Sequence, residues 1–144
     1  NPLAHAILRG YVNHFGTSMP NYHYENLQHV MEMYNERSLE NPAIVVDCNH
    51  SNSGRKYMEQ IRIARDVMAS RAYSPDIHHL VKDVMHSCHV SPDLHKFVKG
   101  LMIESYLEDG SQKVEEHCYG KSITDPCLGW AKSYELILNL ADQV

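Results

Sequence analysis

Three largely apolar runs, each closing on a polar residue, set the rhythm of the 144-residue chain. The first covers Leu3 to Leu8 and ends in Arg9 and Gly10; the second is Ala43-Ile44-Val45-Val46, which opens directly onto Asp47-Cys48-Asn49-His50-Ser51-Asn52-Ser53; the third covers Phe97 to Ile103, with Glu104-Ser105 at its tip. Short continuous apolar runs of this kind predict strands buried on both faces. Between them, apolar residues recur at helical spacing. A helix is predicted from about Tyr24 to Leu39, with Leu27, Val30, Met31 and Tyr34 on its core stripe, and Asn41-Pro42 stops it. A second runs from about Lys56 to Ala72, capped by Ser53, with Tyr57, Ile61, Ala64 and Met68 on one face. A third, from about Lys132 to Val144, places Tyr134, Ile137, Leu138 and Ala141 on one side, which should close against the last strand. Gly10 to Asn21 and Glu108 to Cys118 read as polar loops. Strand, polar tip, loop and helix thus repeat three times, the α/β pattern of parallel strands whose C-terminal ends carry the working side chains.

One segment breaks that rhythm. Tyr73 to Lys96 carries His78, His79, His86, Cys88, His89 and His95. Their spacings match no zinc template, and helical phases scatter them over several faces. An inserted helical excursion with exposed histidines is expected instead, seated by Leu80, Val81, Val84 and Met85.

Composition narrows the function classes. At 43% hydrophobic, 144 residues can bury a core, and one domain spanning residues 1–144 is expected. The net charge of −5, with lysines and arginines scattered, argues against nucleic acid as a partner. No apolar run approaches the roughly 18 residues of a membrane span, and no basic-then-apolar leader opens the chain. The expectation is a cytoplasmic protein without a membrane partner. Cys48, Cys88, Cys118 and Cys127 lack zinc-ribbon spacing and read as reduced thiols.

The candidate chemistry sits at the strand tips and in one C-terminal loop. Gly120-Lys121-Ser122-Ile123-Thr124-Asp125-Pro126-Cys127-Leu128-Gly129-Trp130 combines two glycines, a proline and several polar residues, so it is a loop of fixed shape, closed by a tryptophan expected to be buried. Taken alone it could be a connector whose aspartate caps the next helix. Arg9 by itself reads as a surface ion pair, and His50 by itself as a hydrogen-bonded turn residue. Glu104, a carboxylate closing a buried strand, would be costly there unless a cation or hydrogen bonds compensate it.

These segments together change the odds. Gly-Lys-Ser-Ile-Thr-Asp followed by Cys, Leu, Gly and Trp resembles the C-terminal signature of the class I 3-deoxy-D-arabino-heptulosonate 7-phosphate (DAHP) synthases. His5-Ala6-Ile7-Leu8-Arg9-Gly10 resembles the family's sixth barrel strand, Asp47-x-x-His50-x-Asn52 its next strand tip, and Met102-Ile103-Glu104-Ser105 its eighth strand. Asn49 and Ser51 depart from the family, which has Ser and Ala there. The four motifs occur in the family's order and cover nearly the whole chain outside Tyr73 to Lys96.

The resemblance implies the C-terminal part, about three βα units, of a TIM-type (β/α)8 barrel. It implies a metal-dependent, aldol-like condensation of phosphoenolpyruvate with erythrose 4-phosphate, the first step of the shikimate pathway. It assigns His50, Glu104 and Asp125 as metal ligands and Arg9 as the grip on the phosphoenolpyruvate phosphate, with Arg9 and His50 as catalytic residues. Asp47 would be a supporting or substrate-side carboxylate. A mixed nitrogen and oxygen donor set suits a divalent ion of the Mn, Fe, Co or Zn type. The family's fourth ligand, a cysteine on its first strand, has no counterpart here. The chain is therefore expected to be incomplete and inactive alone, self-associating or pairing with a missing N-terminal part. Two other classes remain open: a non-catalytic metal-binding or assembly module derived from this family, and a related phosphoenolpyruvate-condensing synthase such as 3-deoxy-D-manno-octulosonate 8-phosphate synthase.

Overall fold

The computed structural model describes residues 1, 3–72 and 94–143. In chain order the elements are β1 (Ala6–Leu8), β2 (Tyr11–Val12), β3 (Ser18–Met19), α1 (Tyr24–Glu36), β4 (Ile44–Asp47), α2 (His50–Ser53), α3 (Glu59–Ala72), α4 (Leu94–Phe97), β5 (Val98–Met102), a 3-10 turn at Val114–Glu116 and α5 (Trp130–Ala141). The three expected strands form one parallel sheet with β4 in the middle, β1 on one side and β5 on the other. Ala6 pairs with Ile44 and Leu8 with Val46, while Val46 pairs with Leu101 and Asp47 with Met102. This register brings the C-terminal ends of all three strands to one edge. Four of the five histidines of the expected insertion, with Cys88 and its seating residues Leu80, Val81, Val84 and Met85, lie outside the described residues; His95 is exposed in α4.

One connected core holds the elements together. Ile44 and Val46 of β4, Leu27 of α1, Ile63 and Val67 of α3, and Leu136 of α5 are buried within it. Burying side chains of this size contributes about 1.5–3 kcal/mol each relative to exposure. The α1 stripe is as expected, with Leu27 and Met31 buried and Val30 and Tyr34 packed beside them. The Tyr34 hydroxyl also accepts the Ala6 N–H at 3.1 Å and donates to the Ala43 carbonyl at 3.1 Å, tying the starts of β1 and β4.

Several expectations are corrected. The first strand begins at Ala6, not Leu3, and it is not buried on both faces: Leu8 is buried, whereas Ile7 on the opposite face is 44% exposed. Gly10 to Asn21 is not plain loop, because Tyr11 pairs with Met19 and Val12 with Ser18 in a small antiparallel hairpin. Ser53 does not cap the long helix. It ends α2, and its hydroxyl is committed to Asn49, so α3 starts later, at Glu59. On α3 the expected Ala64 and Met68 are buried and Tyr57 and Ile61 pack beside the core, but the buried face also takes in Gln60, Ile63 and Val67, which the expected stripe left out. In α5 the buried positions are Ser133 and Leu136, while Tyr134, Ile137 and Leu138 face outward.

The hairpin lies against α2 through Gly10. Its φ is +70°, and a Cβ there would sit 2.7 Å from the Met19 carbonyl oxygen and 2.8 Å from the Asn52 nitrogen. Its N–H donates to Asn21 Oδ1 at 2.7 Å. Only glycine adopts this conformation without strain and tolerates so close a backbone approach. Gly10→Ala should therefore destabilise the fold by more than about 1–2 kcal/mol, the cost of left-handed backbone alone. Urea unfolding checks this, and an unchanged midpoint would contradict the packing described.

Candidate metal centre

The site is built from the turn that ends β4. Asp47 is 1% exposed, yet its carboxylate is well supplied with partners. Oδ1 accepts the Asn49 N–H at 2.8 Å, and Oδ2 lies 2.8 Å from His50 Nδ1. These bonds offset the desolvation that a buried carboxylate incurs. The chain then turns sharply: His50 has φ +49°, an uncommon left-handed conformation for a residue other than glycine. With the Nδ1 edge of the ring held against Asp47, the Nε2 edge faces away from β4. Asn52 closes the same turn, donating through Nδ2 to the Leu8 carbonyl at 3.0 Å and the Asp47 carbonyl at 2.8 Å, and so joins the tips of β1 and β4.

Glu104 reaches the same point from beyond the end of β5. The buried Gln60 side chain holds its backbone at both ends: Glu104 N–H donates to Gln60 Oε1 at 2.8 Å, and Gln60 Nε2 donates to the Glu104 carbonyl at 3.1 Å. Leu128 N–H donates to that carbonyl as well, at 3.0 Å, which carries the C-terminal loop onto the strand tip. Gly110 and Cys127 form an antiparallel bridge that fixes the loop, and Asp109 accepts the Gly129 N–H at 2.7 Å while pairing with Lys132 at the start of α5. The hydrogen bond from Lys132, then that from Gly129, holds the Asp109 carboxyl below its ordinary range.

The result is a convergence. His50 Nε2 stands 3.3 Å from Glu104 Oε1 and 3.7 Å from Asp125 Oδ2, and the three ligand atoms lie within 4.8 Å of one another. Donors that share one cation at about 2.0–2.2 Å stand roughly 3.0–3.5 Å apart, so the spacing fits a common ion after little adjustment. Three carboxylates, Asp47, Glu104 and Asp125, gather around a single imidazole, and crowded like charges are relieved by a cation. Arg9 joins through Asp47, with Nε 3.9 Å from Oδ2, and its side chain is 56% exposed at the mouth of the site.

All four residues singled out in the sequence thus stand at one strand edge: His50, Glu104 and Asp125 as a cluster, Arg9 beside it. Trp130 is corrected. It is 64% exposed rather than buried, and Leu128 is the loop's buried anchor. Among the described residues, Cys48, Cys118 and Cys127 are not among the clustered donors. Burial, and then the Asp47 charge, push the Cys48 thiol up to about 12. Burial likewise raises Cys127, against a hydrogen bond with Ser122. Sequence reasoning missed Gln60 and gave Asn49 no role. A signal for Gln60 existed, since it shares a stripe with Ala64 and Val67.

Comparison with known proteins gives a consistent picture. The profile of the DAHP synthetase I family matches residues 1–137. The chain is similar to the Trp-sensitive phospho-2-dehydro-3-deoxyheptonate aldolase of Enterobacter agglomerans, 34% identical across 100% of this chain and 34% of that protein. It is 31% identical to the phospho-2-dehydro-3-deoxyheptonate aldolase of Haemophilus influenzae, covering 100% of this chain and 33% of that one. The chain therefore spans about a third of the length of the curated relatives it matches. Among solved structures, the phospho-2-dehydro-3-deoxyheptonate aldolase of Francisella tularensis superimposes with a TM-score of 0.73 at 27% identity, over 100% of this chain and 35% of that chain. No helix among the described residues is long and apolar enough to cross a membrane.

The Gln60 clamp is testable without any ligand. Gln60→Leu keeps the side-chain bulk but leaves the Glu104 N–H without its partner, a loss of about 1–3 kcal/mol for a buried group. Thermal unfolding should show the lowered midpoint; a variant as stable as the parent would mean that the clamp is not holding the strand tip.

Proposed function

This chain belongs to the DAHP synthetase I family, and from that premise we propose that it forms the metal- and phosphate-binding side of a synthase that condenses phosphoenolpyruvate with erythrose 4-phosphate to DAHP, the first step of the shikimate pathway. In this reading residues 1–144 are a single C-terminal segment of a TIM-type (β/α)8 barrel that works in the cytoplasm. The single observation that carries it is the approach of His50, Glu104 and Asp125 to within 4.8 Å from three separate segments. Chance rarely draws an imidazole and two carboxylates together beside an arginine at the C-terminal edge of a parallel sheet, which is where barrel enzymes keep their active sites.

The roles follow from the chemistry of each side chain. His50, Glu104 and Asp125 would hold a divalent ion of the Mn, Fe, Co or Zn type, and Asp47 would fix the His50 ring through Nδ1. Such an ion, when bound, supplies Lewis acidity toward an aldehyde oxygen. Arg9 would bind the phosphoenolpyruvate phosphate, since its planar guanidinium keeps its charge and can pair two phosphate oxygens. That binding orients the enol carbon for attack and lowers the entropic part of the barrier. β1 and β5 each have one neighbour among the described residues, so both sheet edges offer unpaired backbone groups. We propose that further strands, from a second copy or from an N-terminal part of the barrel, pair there, and that the chain alone binds the ion without completing turnover.

The test is metal binding followed by calorimetry on the metal-stripped chain. Co²⁺ should bind at one site, and His50→Ala and Asp125→Ala should each weaken it by about 10-fold or more. Phosphate release from phosphoenolpyruvate on adding erythrose 4-phosphate should be absent for the chain alone. Binding indifferent to both substitutions would refute the assignment.

A further inference from the structure

The second oxygen of Glu104 has a partner of its own. Asn49 is fully buried, and its Nδ2 donates to Glu104 Oε2 at 2.7 Å. The amide is oriented rather than merely adjacent: the Ser53 hydroxyl donates to Asn49 Oδ1 at 2.7 Å, and the Asn49 backbone N–H is held by Asp47 Oδ1 at 2.8 Å. A flipped amide would set its carbonyl oxygen against a carboxylate. Gln60 and Leu128 already fix the Glu104 backbone, so the remaining freedom of Glu104 lies in its side-chain torsions. Asn49 removes that freedom. It engages Oε2 and leaves Oε1, the oxygen 3.3 Å from His50 Nε2, directed at the cluster.

Resting on the metal reading above, we propose that Asn49 is a positioning residue that makes Glu104 a one-oxygen ligand and thereby sets the metal preference of the site. Smaller transition ions accept few donors in tight geometry. Ca²⁺ takes six to eight oxygens and commonly chelates a carboxylate through both. A glutamate whose second oxygen is bonded to a buried amide suits the first group and disfavours the second. This function belongs to the chain's own asparagine, at a position where a shorter serine hydroxyl could not reach as far.

The experiment compares Co²⁺ and Ca²⁺ binding by calorimetry to the metal-stripped 144-residue chain and to its Asn49→Ala and Ser53→Ala variants, with the visible absorption of bound Co²⁺ recorded for each. Asn49→Ala should weaken Co²⁺ about 10-fold, the usual effect of losing a partner behind a ligand. It should narrow the Co²⁺ over Ca²⁺ preference several-fold and change the Co²⁺ spectrum, because Glu104 gains its second oxygen. Ser53→Ala, which leaves the Asn49–Glu104 contact in place but loosens the amide, should shift both in the same direction by less. It also serves where Asn49→Ala does not fold. A general loss of stability would weaken both ions alike and leave their ratio unchanged, and that result would overturn the proposal. So would parental Co²⁺ affinity and spectrum in Asn49→Ala. Failure of the parent chain to bind Co²⁺ would instead sink the metal reading itself, and this inference with it.

Discussion

The site depends on one buried contact, the Asp47 carboxylate against the His50 ring. A carboxylate at 1% exposure must find donors, and the turn that follows β4 supplies them: the Asn49 N–H to one oxygen and His50 Nδ1 to the other. This arrangement goes with the left-handed backbone at His50 and decides which ring edge faces outward. Strain of that kind persists only where neighbouring structure over-determines it. Here the over-determination comes from Asn52, whose amide bonds the last carbonyls of both β1 and β4.

From that turn the remaining geometry is assembled by side-chain amides rather than by apolar packing. Gln60 fixes the Glu104 peptide, Asn49 fixes the Glu104 carboxylate, and Asn21 and Asn52 link the hairpin to the sheet edge. Amides are suited to this work: each offers donors and an acceptor without adding charge to a cluster already rich in carboxylates. The C-terminal loop is held more simply. Leu128 is its fully buried anchor, and the Gly110–Cys127 bridge and Asp109 contacts brace either side of it, carrying Asp125 to the cluster although it comes latest in the chain.

Much of this was legible in the sequence, for physical reasons that can be traced residue by residue. A run such as Ile44-Val45-Val46 reads as a buried strand, and the polar residues at its end had to be solvated, hydrogen-bonded within the turn or functional. The α1 stripe was readable because Leu27, Val30, Met31 and Tyr34 keep one helical phase. The face of α5 was not, and that of α3 only in part, since Ala64 and Met68 are buried as expected but Gln60 was missed. In α3 a glutamine occupies a core position because its partner is a peptide group across the molecule, and local periodicity carries no record of such a partner. In α5 apolar residues run around much of the helix, so the pattern alone could not choose between Leu136 and Ile137. The hairpin was invisible because two-residue strands leave no alternation to detect.

The outward position of Trp130 has a practical corollary. It is the sole tryptophan of the chain, 64% exposed at the first turn of α5, five positions after Asp125. An indole already surrounded by water emits at nearly the same wavelength folded or unfolded, so intrinsic fluorescence would report little of global denaturation. The same probe would respond to quenchers or to rearrangement of the neighbouring loop, which makes it a local gauge of the start of α5 and leaves circular dichroism as the better gauge of the whole.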